Sequence, residues 1–508
     1  MRLFYKSITA FIIIISVFLC LQNCASSIPG DYTTIDRLPN IDPDYKGIVI
    51  PPNIAPLNFK INEEGVEFYI DIYAKEGDNI RIKTAKDIVM IPIGKWKDIL
   101  SKNRGKELYI DVYVKDQNNK WSKFHTIENK IAKEEIDSHV AYRLINLGYQ
   151  LWRGMGIYQR NLENFDESAI FTNRITGHNC MNCHSFSNNN PQKMMFHMRG
   201  KYGGTMIVKN GKANKVNTAT KYTMSAGVYP AWHPDGNHIA FSVNKIGQSF
   251  HAQKDKSIYV WDKASDLIVY DIRTNTVTTS PKVSTERTEN SPNWSPDGKY
   301  LYFCSGEEWS KKNKPNESKY DLMRISYDAE TNHWGDVEPI LTAKETGKSV
   351  SFPRISPDGK YLLFCMSDHG YFSIHYLSSD LYMLNLESRK YRKLNINSDY
   401  SESFHSWSSN SRWFVFASKR KDGAYSRLYF SYVDTLGNAY KPFLMPQKDP
   451  AFYDTYILNY NVPELIDGPV TVSHWNLMEA AYKEPVKSNF DSTVNVDALS
   501  GATKVRQR

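Results

Sequence analysis

From about Gly47 to Lys130, hydrophobic and polar residues alternate with the period of a β-strand. Val66-Glu67-Phe68-Tyr69-Ile70-Asp71-Ile72 and Leu108-Tyr109-Ile110-Asp111-Val112-Tyr113-Val114 are the clearest runs, each bounded by turn residues. Several such strands within residues 46–132 predict a small β-sandwich. After Lys133 the period changes. Ile136, Val140, Leu144, Leu147 and Leu151 recur at helical spacing, with Asp137 or Ser138 available as a cap, so residues 133–190 are expected to hold a short helical segment. Before the sandwich, residues 24–45 carry Pro29, Pro39 and Pro43 with little periodicity and read as a tether.

Beyond residue 190 the chain repeats itself. Tyr229-Pro230-Ala231-Trp232-His233-Pro234-Asp235-Gly236 returns as Ser291-Pro292-Asn293-Trp294-Ser295-Pro296-Asp297-Gly298 and as Phe352-Pro353-Arg354-Ile355-Ser356-Pro357-Asp358-Gly359. A degenerate copy is Phe404-His405-Ser406-Trp407-Ser408-Ser409-Asn410-Ser411. Each is followed by an apolar strand, and the copies are spaced by 62, 61 and 52 residues. Pro fixes φ, Asp bonds its own backbone and Gly takes the left-handed position before the next strand. Such a period, with two to four strands per unit, is the signature of a propeller blade. These repeats resemble the TolB-type, WD-like β-propellers. That resemblance implies six blades over residues 191–465, the flanks supplying those without an explicit repeat. The expected fold class is therefore mainly β: an Ig-like sandwich, a short helical segment and a propeller.

Composition narrows the compartment more than the fold. Of 508 residues, 41% are hydrophobic and 23% charged, which excludes a disordered chain. The formal charge of +8 is spread without a dense Lys/Arg cluster, so nucleic acid is not an expected partner. Arg2 and Lys6 precede an apolar run from Ala10 to Leu21, too short to span a bilayer but suited to an export signal. Leu21-Gln22-Asn23-Cys24 resembles a bacterial lipobox. The resemblance implies removal of residues 1–23, acylation of Cys24 and a lipid anchor that holds the protein at a bacterial membrane facing the periplasm. Whether that membrane is inner or outer stays open.

Of six cysteines, two carry the sharpest motif. Cys180-Met181-Asn182-Cys183-His184 has the spacing of c-type haem attachment: two thiols for thioethers, then a histidine for the iron. From the chain's own 6 Cys and 13 His it would arise by chance about 0.002 times. A redox dithiol would open a helix in a βαβ unit, and a zinc site would want a second close pair of ligands; neither accompanies it. Haem c is therefore the expected cofactor, with Cys180 and Cys183 covalently bound and His184 as iron ligand. The opposite iron ligand is left open among Met194, Met195, His197 and Met198, in a segment that reads as the first propeller strand, with His178, His233, His251 and His405 as further candidates and Arg199 available for a propionate. Cys304 and Cys365 fall at the same place in successive repeats and read as buried free thiols.

The last motif lies in the C-terminal segment, residues 466–508, which reads as flexible from Lys487 onward. Asp497-Ala498-Leu499-Ser500-Gly501-Ala502-Thr503 resembles the flavinylation sequence of extracytoplasmic flavoproteins. The resemblance implies a covalent FMN on Thr503, with Asp497 and Ser500 matching the motif and a flavin transferase as partner. No Gly-x-Ser-x-Gly elbow, phosphate-binding loop or His-Glu-x-x-His motif is present. The expected function is extracytoplasmic electron transfer, with envelope redox proteins and the haem-attachment machinery as partners. An electron carrier is favoured over a propeller oxidoreductase that uses haem as its electron outlet, and over a non-redox envelope binding module.

Overall fold

The computed structural model describes residues 28–147, 154–250, 258–308 and 317–499. Strand formation starts earlier than the sequence suggests. Tyr32–Ile35 lies parallel to Trp121–Phe124 at the edge of a seven-stranded sheet centred on the antiparallel pair Glu67–Ala74 and Glu107–Lys115. A three-stranded sheet of Ile41–Asp42, Phe59–Ile61 and Ile88–Val89 packs against it, together with a helix, Ile93–Lys102. Residues 32–45 are thus part of the sandwich rather than a tether, and Ile41 and Tyr45 are buried in it. A proline-rich, weakly periodic stretch can be held by edge pairing alone.

Six four-stranded antiparallel blades follow, and their inner strands are Met181–Ser187, Val228–Trp232, Thr288–Trp294, Ser349–Ile355, Glu402–Trp407 and Asn459–Ile466. Each inner strand packs on the next, and Met181–Ser187 against Asn459–Ile466 closes the ring. The predicted turns behave as their chemistry requires. Asp235, Asp297 and Asp358 each accept a backbone N–H two residues on, and Gly236, Gly298 and Gly359 adopt φ of 66°, 74° and 71°.

Blade six is assembled from both ends of the propeller. Its inner strand Asn459–Ile466 pairs antiparallel with His139–Ile145, which is followed by Gly156–Asn161 and Glu167–Thr172. The helix expected in residues 133–190 is therefore absent among the described residues. A spacing of four is an even number, so Val140 and Leu144 satisfy the strand period as well as the helical one. Val140, Tyr142 and Leu144 point into one apolar cluster and Ala141 and Ile145 into another, so this central strand is buried on both faces.

The segment after blade six is not free either. Helix His474–Tyr482 is capped by Ser473, and Val486–Lys487 and Asn489–Phe490 then pair with the outer strands of blades one and two. The sandwich docks beside blade five, where Lys421 and Lys441 pair with Asp42 and Asp44 at 3.1 and 2.8 Å. Trp413 of blade five is fully buried and donates through Nε1 to the Glu134 carbonyl, 3.1 Å away. Trp413→Ala should destabilise the protein by about 3–5 kcal/mol, read from denaturant melts at matched slopes.

Candidate functional site

Every inner strand carries a bulge at the same place. Cys183, Tyr229, Ser291, Phe352, Phe404 and Val462 all have φ between 46° and 54°, and the strand register slips there in all six blades. A left-handed residue that is not glycine is strained, and six such positions around one axis are held by the ring itself. The next residue is Pro230, Pro292, Pro353 or Pro463 in four blades, and His184 or His405 in the other two. Proline brings no backbone N–H to a position that leaves the ladder. Cys180-x-x-Cys183-His184 therefore sits on the propeller's first inner strand.

Five of the bulge residues, all but Ser291, line a central cavity with His184. Pro230, Arg354 and Glu464 also wall a wider cavity on the face of the Asp-Gly turns. Arg143, Asn182, Tyr229 and Phe372 also wall a largely apolar cavity on the opposite face. That lower cavity is lined by Cys180, Arg143, Arg199, Met155 and His375 and has a volume of about 140 Å³. Cys183 and His184 thus line the central cavity and Cys180 the adjoining lower one, in a row of cavities along the propeller axis that forms its axial passage.

His184 is buried, and neither ring nitrogen has a hydrogen-bond partner among the described residues. Burial pushes its pKa down to about 3, aided by the Arg143 charge; the nearby Val462 backbone opposes this without closing a hydrogen bond. The ring is neutral at physiological pH and keeps a lone pair. His405 is the internal control: at the same bulge position its Nε2 meets the Leu363 carbonyl at 2.9 Å and its Nδ1 meets Cys365 Sγ at 3.8 Å. Polar atoms without partners recur around the passage at Arg143 Nε, Asn182 Oδ1 and Asn461 Oδ1. A buried polar atom left unmatched costs about 1–3 kcal/mol, so their gathering marks a place for a polar or coordinating guest.

Cys180 and Cys183 are free and half-buried. Burial raises the Cys180 thiol, and the Arg143 and Arg199 guanidinium groups oppose it. Arg143 donates to the Met181 carbonyl at 3.3 Å, and burial lowers its own pKa. The donor set at one passage is thus two thiols, an unpartnered neutral imidazole and two guanidinium groups.

The other predicted residues fall elsewhere. Met194 and Met198 are fully buried in the apolar cluster on which Cys180 packs, and His197 Nδ1 lies 3.1 Å from Thr205 Oγ1. None of the three lines the axial passage. Met155 and His375 do line it, and sequence reasoning missed both; they lie in segments without a repeat signature. Cys304 and Cys365 are buried free thiols on equivalent strands. Asp497 is exposed on a short 3₁₀ turn, Val496–Ala498. Cys24, Ser500 and Thr503 lie outside the described residues.

No family model matches the chain, and no curated protein matches it. Among solved structures, an auxiliary nutrient binding protein from Bacteroides thetaiotaomicron is similar at 9% identity and a TM-score of 0.34, covering 79% of this chain and 99% of that one. The Dos1 propeller is similar at 14% identity and a TM-score of 0.27, covering 46% of this chain and 66% of that one. A puromycin-hydrolyzing peptidase of Mycobacterium tuberculosis is similar at 11% identity and a TM-score of 0.34, covering 68% of this chain and 52% of that one. None of these likenesses carries chemistry to the axial passage.

Proposed function

We propose that this chain is an exported, lipid-anchored electron-transfer protein whose axial passage takes a covalently attached c-type haem. The observation that carries the reading is the contrast between two histidines at equivalent bulges. His405 is satisfied by protein atoms, whereas His184, between two free thiols and a cavity, is buried with no partner among the described residues. Iron–nitrogen bonding would relieve that cost, and a neutral buried imidazole is the form that can bond iron.

The residues present fit such a group. Cys180 and Cys183 would hold it through thioethers, His184 would supply a nitrogen to the iron, and Arg143 and Arg199 would neutralise its carboxylates. Bound there, it would supply one-electron chemistry. The protein's own contribution is a rigid ring that fixes the imidazole, keeps it neutral and surrounds it with aromatic walls from Tyr229, Phe352 and Phe404. A pyridine-haemochrome assay of protein from a haem-attaching host tests this, and one covalent haem per chain is the expected result.

The reading extends to a covalent FMN on Thr503, supported by the Asp497–Thr503 motif. Coexpression with a flavin transferase should give in-gel flavin fluorescence that Thr503→Ala abolishes. Equal fluorescence in both proteins, or none in either, would reject Thr503.

A further inference from the structure

Blade two departs from its neighbours at two positions that meet. In blades three, four and five, the inner strand is followed by a serine whose Oγ lies 2.5–2.6 Å from Asp297, Asp358 or Asn410. The next strand opens on Tyr300, Tyr361 or Trp413, whose N–H donates to that serine at 3.0 Å. In blade two the serine is replaced by His233 and the aromatic residue by His238. Both rings are buried, and both turn Nδ1 toward the one carboxylate of Asp235, at 3.1 Å for His233 and 2.6 Å for His238. The three ligand atoms lie within 4.8 Å of one another.

We propose that His233 Nδ1, His238 Nδ1 and Asp235 Oδ2 bind one divalent transition-metal ion of the zinc class, with the remaining position open to water. The groups behind the rings support this. His233 Nε2 lies 3.0 Å from the Gly298 carbonyl, so it carries the proton and leaves a lone pair on Nδ1, which accepts only a long 3.3 Å hydrogen bond from the Asp235 N–H that the ion would displace. His238 Nε2 lies 3.7 Å from Asp271 Oδ2. A carbonyl or carboxylate behind a ligating imidazole fixes its tautomer and raises its basicity. On metal binding the His238 proton moves from Nδ1 to Nε2, where Asp271 accepts it. Arg273 donates to that Nε2 at 3.3 Å and must turn aside; it is exposed, and Asp271 already offsets its charge. Asp235 Oδ1 stays with the Asn237 and His238 N–H groups, leaving Oδ2 free for the ion. The partly exposed Asp235 gives the ion its way in. Zinc accepts such nitrogen and oxygen donors in tetrahedral geometry.

The site stands apart from the haem reading, and its test does too. Full-length protein freed of metal would be titrated with ZnCl₂ in a calorimeter at pH 7.5, comparing wild type, His233→Ser/His238→Tyr and Asp235→Asn. The double variant carries the residues of neighbouring blades, and Asp235→Asn keeps the turn's amide acceptor, so each should retain the wild-type melting profile. Wild type should bind one more equivalent than the double variant, with affinity at this site reduced about tenfold or more in Asp235→Asn. Equal stoichiometry and affinity in all three proteins would overturn the proposal, any shared zinc then belonging to Cys180 and Cys183. Should the double variant fail to fold, Asp235→Asn alone decides.

Discussion

Cys180→Ala/Cys183→Ala is expected to abolish covalent haem, from one per chain to none, while leaving the propeller's melting transition within a few degrees of wild type. Both thiols are half-buried and unbridged, so their loss removes little packing. His184 is the more discriminating position. Four blades carry proline at its place, so His184→Pro should be accepted by the bulge. In haem-free protein the substitution removes two unmatched ring nitrogens from a buried site and should be neutral or stabilising, by up to about 1–3 kcal/mol. In haem-loaded protein it would remove the nitrogen offered to the iron, and the visible spectrum should change accordingly. His405→Pro is the comparison. It breaks the contact with the Leu363 carbonyl and strands that acceptor, so a loss of about 1–3 kcal/mol is expected. Equal stability effects at the two positions would mean that His184, like His405, only builds the blade. Haem-free wild type from a haem-attaching host would end the cytochrome reading.

How much of this was visible beforehand depended on turn chemistry. Blades two to four announced themselves because Pro, Asp and Gly each perform one step of the same turn. Blade one makes that turn with Asn188 and Asn189 at φ of 50° and 58°, residues that tolerate the left-handed region but carry no distinctive spacing. The motif therefore reads from sequence as part of a separate helical segment, although Asn182-Cys183-His184-Ser185-Phe186 aligns with Asn290-Ser291-Pro292-Asn293-Trp294 and Asn461-Val462-Pro463-Glu464-Leu465. The metal-donor cluster escaped notice for a related reason. His233 and His238 were legible only as departures from Ser295 and Tyr300, and the meaning of those departures depends on the turn bringing them to Asp235. Met194, His197 and Met198, chosen by proximity to His184, lie off the axial passage because a hairpin partner shares the blade, whereas the cavities around the motif gather residues from several blades.

A chain ending at Leu458 should lose its cooperative fold, the largest stability effect expected of any change considered. It lacks Asn459–Ile466, and with it the central partner of His139–Ile145 in blade six. Tyr460 and Ile466 are fully buried and Leu465 nearly so; Tyr460 stacks edge-on against Tyr142 at 4.9 Å. Burying each such side chain stabilises by about 1.5–3 kcal/mol. The loss also strips hydrogen bonds from the neighbouring blades, where Ser426 Oγ donates to the Tyr460 carbonyl and Asn189 to that of Leu465. It further leaves His139–Ile145 with an unpaired edge facing a gap in the ring. Together these are comparable to the margin of about 5–15 kcal/mol for an ordinary domain. A chain ending at Gly468 separates closure from the rest, since it keeps blade six and loses only the helix and the strands along blades one and two. It should melt cooperatively at a lower temperature, whereas the shorter chain should show no calorimetric transition for the propeller and rapid proteolysis throughout it. A cooperative transition in the shorter chain within about 5 °C of wild type would mean that ring closure contributes no more than about 3–4 kcal/mol, the size of such a shift for a body of this length.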